Sequence, residues 1–219
     1  MEPLMIDVVS DVVCPWCLIG KSRIEKAIAL RPDIKTQLRW NPYFLNDWIP
    51  RDGISREEYL TKKFGSVERY KEIATRISAA ATEEGLDYQL EKISRQPNTI
   101  DCHRLILWAE NAGGAGKMKQ RLMELYFSEG ADLTDREVLV QAAVDCGMDG
   151  DLTRRLLDSN ADVDRVTAAA EQAKEAGIQG VPFFVFGGIM AVSGAQSPEY
   201  LADAIGKAAE EQAKRESAA

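Results

Sequence analysis

The sequence predicts an α/β chain in which two short β-containing segments, one from each end, share a single sheet, with a large all-helical block inserted between them. Three observations predict it. A strand–helix–strand pattern fills the first 45 or so residues, the stretch from about Ser55 to about Ala176 reads almost entirely as helix, and β character returns only after Gly180. A length of 219 residues, at roughly 150 per domain, allows either one domain with an insertion or two. The elements divide the chain into residues 1–50 with 178–219 as one unit and 51–177 as the other.

Leu4 to Val9 is short, apolar and β-branched, and reads as a strand buried on both faces. Ser10 and Asp11 interrupt it, and Val12 and Val13 lead into Cys14-Pro15-Trp16-Cys17. From Pro15 the pattern turns helical, with Ile19, Ile24, Ala27, Ile28 and Leu30 at helical spacing and Arg31-Pro32 closing the segment. Proline suits the first helical position, where an N–H would have no partner in any case. Thr36 to Leu45 reads as a second strand, with Pro42 marking an edge or a bulge. Strand, helix, strand is the unit that forms parallel pairs.

The helical block is rich in Ala, Glu, Lys, Arg and Leu. Thr134-x-x-Glu137 has the form of a capping box, opening a helix that Gly147 would end. Val163, Val166, Ala170 and Ala173 line one face of another, ended by Gly177. Gly113 to Lys117 has the look of a phosphate loop, but Met118 occupies the Ser/Thr position, the upstream Gly is missing and no strand precedes it, so it reads as a turn between helices. Pro182–Phe186 and Ile189–Val192 form a hairpin about Gly187-Gly188. Ser197-Pro198-Glu199 then opens a last helix with Tyr200, Leu201, Ala204, Ile205 and Ala208 as its buried stripe, and the polar tail from Lys207 is expected to fray.

Composition removes several function classes. Twenty-seven Lys and Arg against 35 Asp and Glu leave a net charge of −8. Nucleic-acid binding draws on clustered cations, and none are clustered here, so no nucleic-acid partner is expected; Trp40, Trp48 and Trp108 are read as core and interface aromatics. No apolar run approaches the roughly 18 to 20 residues of a membrane span, and the N-terminus lacks the basic start and apolar run of a secretion signal. No membrane partner and a cytoplasmic address are therefore expected. Four Cys are too few for a disulfide scaffold, so any disulfide is expected to be chemical and transient.

The sharpest signal is Cys14-x-x-Cys17 at a strand-to-helix junction. Unpaired N–H groups and the positive helix end favour an anion there, and such positions bring a thiol from about 8.5 down to roughly 3.5 to 7.5. Cys14 is then the attacking sulfur, and Cys17, one turn deeper, resolves the mixed disulfide. Half of a zinc site is the competing reading, since structural zinc wants four N or S ligands. The remaining candidates are Cys102, His103 and Cys146. Cys146 shares a stripe with Leu139, Ala142 and Ala143, and Cys102 with Leu105, Ile106 and Ala109, as core cysteines do. Redox chemistry is preferred and no metal is expected. Gly180-Val181-Pro182, heading a strand, says little alone; combined with a Cys-x-x-Cys at a βα junction it suggests a cis Val181–Pro182 bond beside the sulfurs.

Cys14-Pro15-Trp16-Cys17 after an apolar strand, a long helical insertion, and Gly177 to Val185 near the end together resemble the DsbA family, a thioredoxin-like fold with a large all-helical insertion domain. Arg39 to Asn46, Asn98 to Leu105 and Ser193-Gly194-Ala195-Gln196 resemble, more narrowly, its FrnE-like branch. The likeness runs from about Ile6 to Ile205. It implies Cys14 as nucleophile, Cys17 as resolving thiol, and Pro182 as the cis-proline preceded by Val181, whose backbone pairs with an extended substrate. Pro15 and Trp16 are then substrate-contacting positions, Asn98 and His103 face the groove, and Ser193 to Gln196 hold a carboxylate such as that of glutathione, a helix approach being a natural anion seat. For His103, a capping or core role is equally in view.

Two features depart from the family pattern. Cys102 stands where a small apolar residue is expected, which leaves open a third redox-active sulfur. Pro-Trp replaces the Pro-His of the periplasmic oxidants, so the pair is expected on the reducing side of about −120 mV. The implied function is thiol–disulfide exchange on protein or small-molecule disulfides, with glutathione as a co-substrate and no tightly bound cofactor, acting as monomer or homodimer. The competing functions are a glutathione-dependent isomerase or transferase of the kappa-class or 2-hydroxychromene-2-carboxylate isomerase type, whose members usually carry Ser in place of the first Cys, and a non-catalytic peptide- or metal-binding module.

Overall fold

In a computed structural model, which describes residues 2–110 and 114–218, the predicted sheet forms from both ends of the chain. β1 (Leu4–Ser10) alternates at first, burying Leu4, Ile6 and Val8 with Met5 and Asp7 half-buried between them, and only its last residues are buried on consecutive positions. α1 (Pro15–Ala29) starts with Cys14 as its N-cap residue and proline at the first position. β2 (Thr36–Pro42) runs parallel to β1, with Ile6 opposite Leu38 and Val8 opposite Trp40. It ends three residues before the expected Leu45, at a proline with no N–H to donate to the ladder.

The central block contains α2 (Arg56–Phe64), α3 (Val67–Glu83), α4 (Ile100–Glu110), α5 (Ala115–Glu124), α6 (Arg136–Asp145), α7 (Gly150–Leu157) and α8 (Val163–Glu175). A two-stranded sheet of β3 (Ile54–Ser55) and β4 (Arg95–Gln96) also forms inside it. Strands of two residues carry no periodicity, so the nearly all-helical pattern of this stretch does not reveal them. The expected capping box is displaced by one residue: Asp135 is the N-cap and accepts from the Glu137 N–H at 2.8 Å, while the Thr134 hydroxyl donates to Asp132 at 2.7 Å. The reading of residues 113–117 as a turn falls partly on Gly113, which lies outside the described residues; Gly114 is the N-cap of α5.

β5 (Phe183–Phe186) and β6 (Met190–Ser193) form the hairpin, and the sheet order is β2-β1-β5-β6, with β5 antiparallel to β1. α9 (Pro198–Ala218) follows, its Ser197 hydroxyl accepting from the Tyr200 N–H at 3.3 Å. Two expectations for this helix are corrected. Tyr200 is exposed, so the buried stripe is Leu201, Ala204, Ile205 and Ala208. The polar tail stays helical, with i,i+4 pairs Asp203–Lys207 and Glu211–Arg215 along its surface.

Two large apolar cores and three smaller clusters result. One packs Ile6, Val8, Phe184 and Phe186 of the sheet between Ile24 of α1 and Leu201 and Ile205 of α9. The other joins Val12, Val13, Cys14, Cys17 and Leu18 to α4, α5 and α6 through Leu105, Met118, Leu122 and Leu139. Among the described residues no helix is long and apolar enough to cross a membrane.

Candidate active site

Antiparallel pairing of β1 with β5 sets Val9 opposite Phe183. The chain leaving β1 and the chain entering β5 therefore meet at one end of the sheet, which brings Cys14 and Val181 together across 167 positions of sequence. The Cys14 thiol lies 3.6 Å from the Val181 carbonyl oxygen, and the Val181–Pro182 peptide bond is cis. Gly20, on the second turn of α1, admits the proline ring: a Cβ there would stand 2.6 Å from Pro182 Cγ. This close approach was not anticipated from sequence, and a glycine within a helix one turn after a Cys-x-x-Cys is the signal that marks it.

The two thiols are inequivalent. A hydrogen bond from the Cys17 thiol, outweighing burial and aided by the N–H groups of Cys17 and Trp16, holds Cys14 below the ordinary thiol range; the nearby Asp11 charge opposes this. Burial, reinforced by the negative charge of Cys14, pushes Cys17 well up. Both sulfurs are buried, Cys14 being only 4% exposed. The anion seat expected at the helix start is thus formed largely by the second cysteine and the first-turn amides.

Beneath the sulfurs lies a group of buried polar side chains. Asp11, fully buried, accepts from its neighbour Val12 N–H at 2.7 Å and from Leu45 N–H at 2.9 Å, and faces His103 Nε2 at 3.3 Å. Burial works against its charge, but the imidazole, the Leu45 amide and the positive Lys119 outweigh it and hold the carboxyl below the usual range. Burial pushes His103 down, so at neutral pH a neutral ring donates from Nε2 to the carboxylate. Lys119 is 1% exposed, has no carboxylate in ion-pair distance among the described residues, and is pushed down by burial while Cys17, Asp11 and Cys14 pull it back up. The sequence reading passed over Asp11 and Lys119. The signal for Lys119 is a lone cation in the buried stripe of Met118, Leu122 and Met123.

The expectation that Asn98 and His103 face the groove is corrected. Asn98 Nδ2 donates to the Ile49 carbonyl at 2.7 Å and its Oδ1 accepts from the Ile100 N–H at 3.0 Å, so it closes the start of α4. His103 is 4% exposed and turned to Asp11. Ser193 to Gln196 form the turn after β6: Gly194 takes φ +82° and its N–H donates to the Pro182 carbonyl at 2.8 Å, Arg23 donates to the Ala195 carbonyl at 2.7 Å, and Gln196 Nε2 donates to the Ser193 carbonyl at 2.9 Å. The segment stands beside Pro182 but does not line the cavity at Cys14.

That cavity, ≈ 260 Å³, is walled by Cys14, Pro15, Trp16 and Val181 on one side and by aromatic side chains of the helical block on the other, among them Tyr59, Tyr70, Tyr88 and Tyr126. Trp16 is 37% exposed at its rim. Cys102 is fully buried, and burial pushes its thiol up. Cys146, expected in the core, packs against that core but is only half-buried, at the C-cap of α6. Among the described residues no group of three His, Cys, Asp or Glu is placed to hold a metal ion.

A parallel β1–β2 pair, an antiparallel hairpin, a Cys-x-x-Cys at the start of the first helix and a cis-proline beside it define a thioredoxin-type dithiol protein with a helical insertion. The chain belongs to the DSBA-like thioredoxin domain family, whose model matches residues 5–206. Its fold is similar to that of a probable DsbA oxidoreductase, SCO1869 of Streptomyces coelicolor, at 31% identity, TM-score 0.86, and 95% and 91% coverage of the two chains. It is also similar to the cytosolic disulfide reductase DsbM of Pseudomonas aeruginosa, solved with GSH, at 17% identity, TM-score 0.63, and 97% and 100% coverage. In sequence it resembles YwbO of Bacillus subtilis strain 168, 26% identical over 183 residues that cover 83% of this chain and 86% of that one.

Proposed function

We propose that this chain is a cytoplasmic thiol–disulfide oxidoreductase that works through a mixed disulfide at Cys14. The Cys14 thiolate attacks one sulfur of a substrate disulfide, forming Cys14–S–S–R and releasing the other half as a thiolate. Cys17 then attacks Cys14, closing the Cys14–Cys17 disulfide and releasing the second half, so that two electrons pass from the protein dithiol to the substrate. The Val181 carbonyl, 3.6 Å from the attacking sulfur, presents the backbone against which an extended substrate aligns, with Pro15, Trp16 and Pro182 beside it. An external thiol such as glutathione returns the pair to the dithiol, and Ser193 to Gln196 are the segment that would receive its carboxylate.

The observation that carries this reading is geometric: Cys14 is the N-cap residue of α1 with Cys17 one turn on, and its sulfur lies 3.6 Å from the Val181 carbonyl oxygen beside Pro182; the directions of the two shifts, Cys14 down and Cys17 up, agree with it. A low first thiol attacks, and a high second thiol stays protonated until the mixed disulfide replaces its neighbour's charge. The test is disulfide exchange with insulin and oxidised glutathione. Cys14→Ser is expected to abolish it and Cys17→Ser to trap a mixed disulfide visible by mass spectrometry. Undiminished exchange in Cys14→Ser would sink the reading, and glutathione-dependent isomerisation surviving in Cys17→Ser would move it to the isomerase class.

A further inference from the structure

The helical block supplies the cavity at Cys14 with two cations for which no carboxylate lies in ion-pair distance among the described residues. Arg56 is half-buried and is held by neutral groups: it donates to Gln96 Oε1 at 2.7 Å, to the Tyr70 hydroxyl at 3.1 Å and to the Tyr126 hydroxyl at 3.4 Å. Its guanidinium stands 5.2 Å from the ring centres of both Tyr59 and Tyr70. Lys63 donates to Asn46 Oδ1 and lies 5.6 Å from the Tyr59 ring. The less exposed arginines elsewhere take carboxylates, as Arg23 does with Glu84, Arg104 with Asp101 and Arg121 with Asp145. No Asp or Glu lines this cavity, although acidic residues outnumber basic ones in the chain 35 to 27.

The other walls are aromatic. Burial keeps the Tyr59, Tyr88 and Tyr126 phenols protonated, and the Tyr88 hydroxyl, although shielded from solvent, has no hydrogen-bond partner. At ≈ 260 Å³ the space falls just below the roughly 300 to 1,000 Å³ of small-molecule pockets. It admits a ring-sized group.

We propose that the cavity at Cys14 selects small disulfides with an aromatic body and an anionic group, the ring lying among the tyrosines and the anion taken by Arg56 and Lys63. This rests on the oxidoreductase reading and narrows it to a substrate class. The bond changes are those of the mixed-disulfide sequence above, and the thiolate released first carries the second anion out.

The test is single-turnover oxidation of the reduced protein by three probes: 5,5′-dithiobis(2-nitrobenzoate), aromatic and anionic; 4,4′-dithiodipyridine, aromatic and neutral; and 3,3′-dithiodipropionate, aliphatic and anionic. Each rate is divided by that of the same probe with free glutathione, which removes intrinsic reactivity. Arg56→Gln combined with Lys63→Gln is expected to slow the anionic aromatic probe about tenfold, the scale of one charge-assisted hydrogen bond, and to leave the neutral probe within about twofold. Arg56→Lys should keep most of the rate, and Lys63→Gln alone gives a readable partial loss if Arg56→Gln fails to fold.

Equal slowing of both aromatic probes would overturn the proposal, because the cations would then serve the Cys14 thiolate. Normalised rates for the aliphatic probe equal to those for the anionic aromatic one would overturn it as well, as would a disulfide-linked decapeptide that reacts faster than all three. Absence of reaction with every probe in the unaltered protein is a different outcome, since it removes the oxidoreductase reading itself.

Discussion

The sheet and the helical block bury different chemistry around the same pair of cysteines. Between α1 and α9 the sheet buries Ile6, Val8, Phe184 and Phe186 against Ile24, Leu201 and Ile205. Under the sulfurs, the helical block and the loop that meets it bury Asp11, His103 and Lys119, and elsewhere the block buries Arg104 and Gln96. The apolar layer fixes where two strand ends meet and so aligns Cys14 with Val181. The polar layer acts on the sulfurs through its charges: Asp11 opposes the Cys14 thiolate and Lys119 favours that of Cys17. Arg104 shows the block's own structural use of charge: fully buried, it donates to the Ala161, Leu156 and Ser159 carbonyls and to Asp101, tying the end of α7 and the turn after it to α4.

Substitutions in each layer separate the two roles. Phe184→Ala removes a fully buried ring from the sheet core and is expected to cost about 3–5 kcal/mol of stability in denaturant unfolding. The pH midpoint of Cys14 alkylation in the folded protein should stay in place. A large shift of that midpoint would show that the apolar layer also tunes the sulfur. Lys119→Met addresses the opposite layer. Replacing an unpaired buried charge by a chain of similar volume is expected to leave stability unchanged or raise it, by up to about 1–4 kcal/mol. Resolution of a mixed disulfide at Cys14 should become slower, because the positive charge that favours the Cys17 thiolate is gone. Quench-flow with a chromogenic disulfide measures it, and an unchanged second phase would leave Lys119 with packing alone.

The same contrast explains what could be read in advance. Cys14, Cys17 and Pro182 announce themselves locally, through a short motif at a strand–helix junction and a Gly-Val-Pro before an apolar run. The sheet follows from patterns of four to seven residues at each end. Nothing local ties His103 and Lys119 to Asp11, since they are 92 and 108 positions from it in sequence and meet it only when α4 and α5 pack under the cysteine loop. Asn98 was placed at the groove by resemblance, although an Asn two residues before Ile100 is as readily a helix cap, and capping is what its hydrogen bonds do. Cys146 joins the core of Leu139, Ala142 and Ala143 only at its margin, because helical spacing holds only while the helix lasts, and Gly147, at φ +88°, follows it at once.

Gly20→Ala tests the contact that joins the layers. An added methyl would stand 2.6 Å from Pro182 Cγ, and relieving it means moving either α1 or the Val181–Pro182 segment. Overpacking of this kind costs about 1–3 kcal/mol. Disulfide exchange is expected to fall further than stability does, because Val181 shifts relative to Cys14. Exchange at the normal rate, with stability alone reduced, would show that the Val181 carbonyl does not align substrate.

The smallest expected effect is the acid dependence of the polar layer, and its sign follows from the directions of two shifts. Burial lowers His103 from its ordinary value of 6.5, so as pH falls through 6.5 the unfolded chain takes up a proton that the folded chain refuses, and stability drops until the folded value is reached. Asp11 is lowered from 3.8, so a second loss begins below that pH, as the unfolded carboxyl protonates before the folded one. Above pH 6.5 neither group contributes a slope. Urea midpoints followed through this range should therefore decline in two stages, and His103→Gln, whose amide can still donate to Asp11, should remove the first stage and keep the second. A first stage that persists in the variant would place the titrating group elsewhere, and the neutral-imidazole arrangement beneath Cys14 would have to be given up.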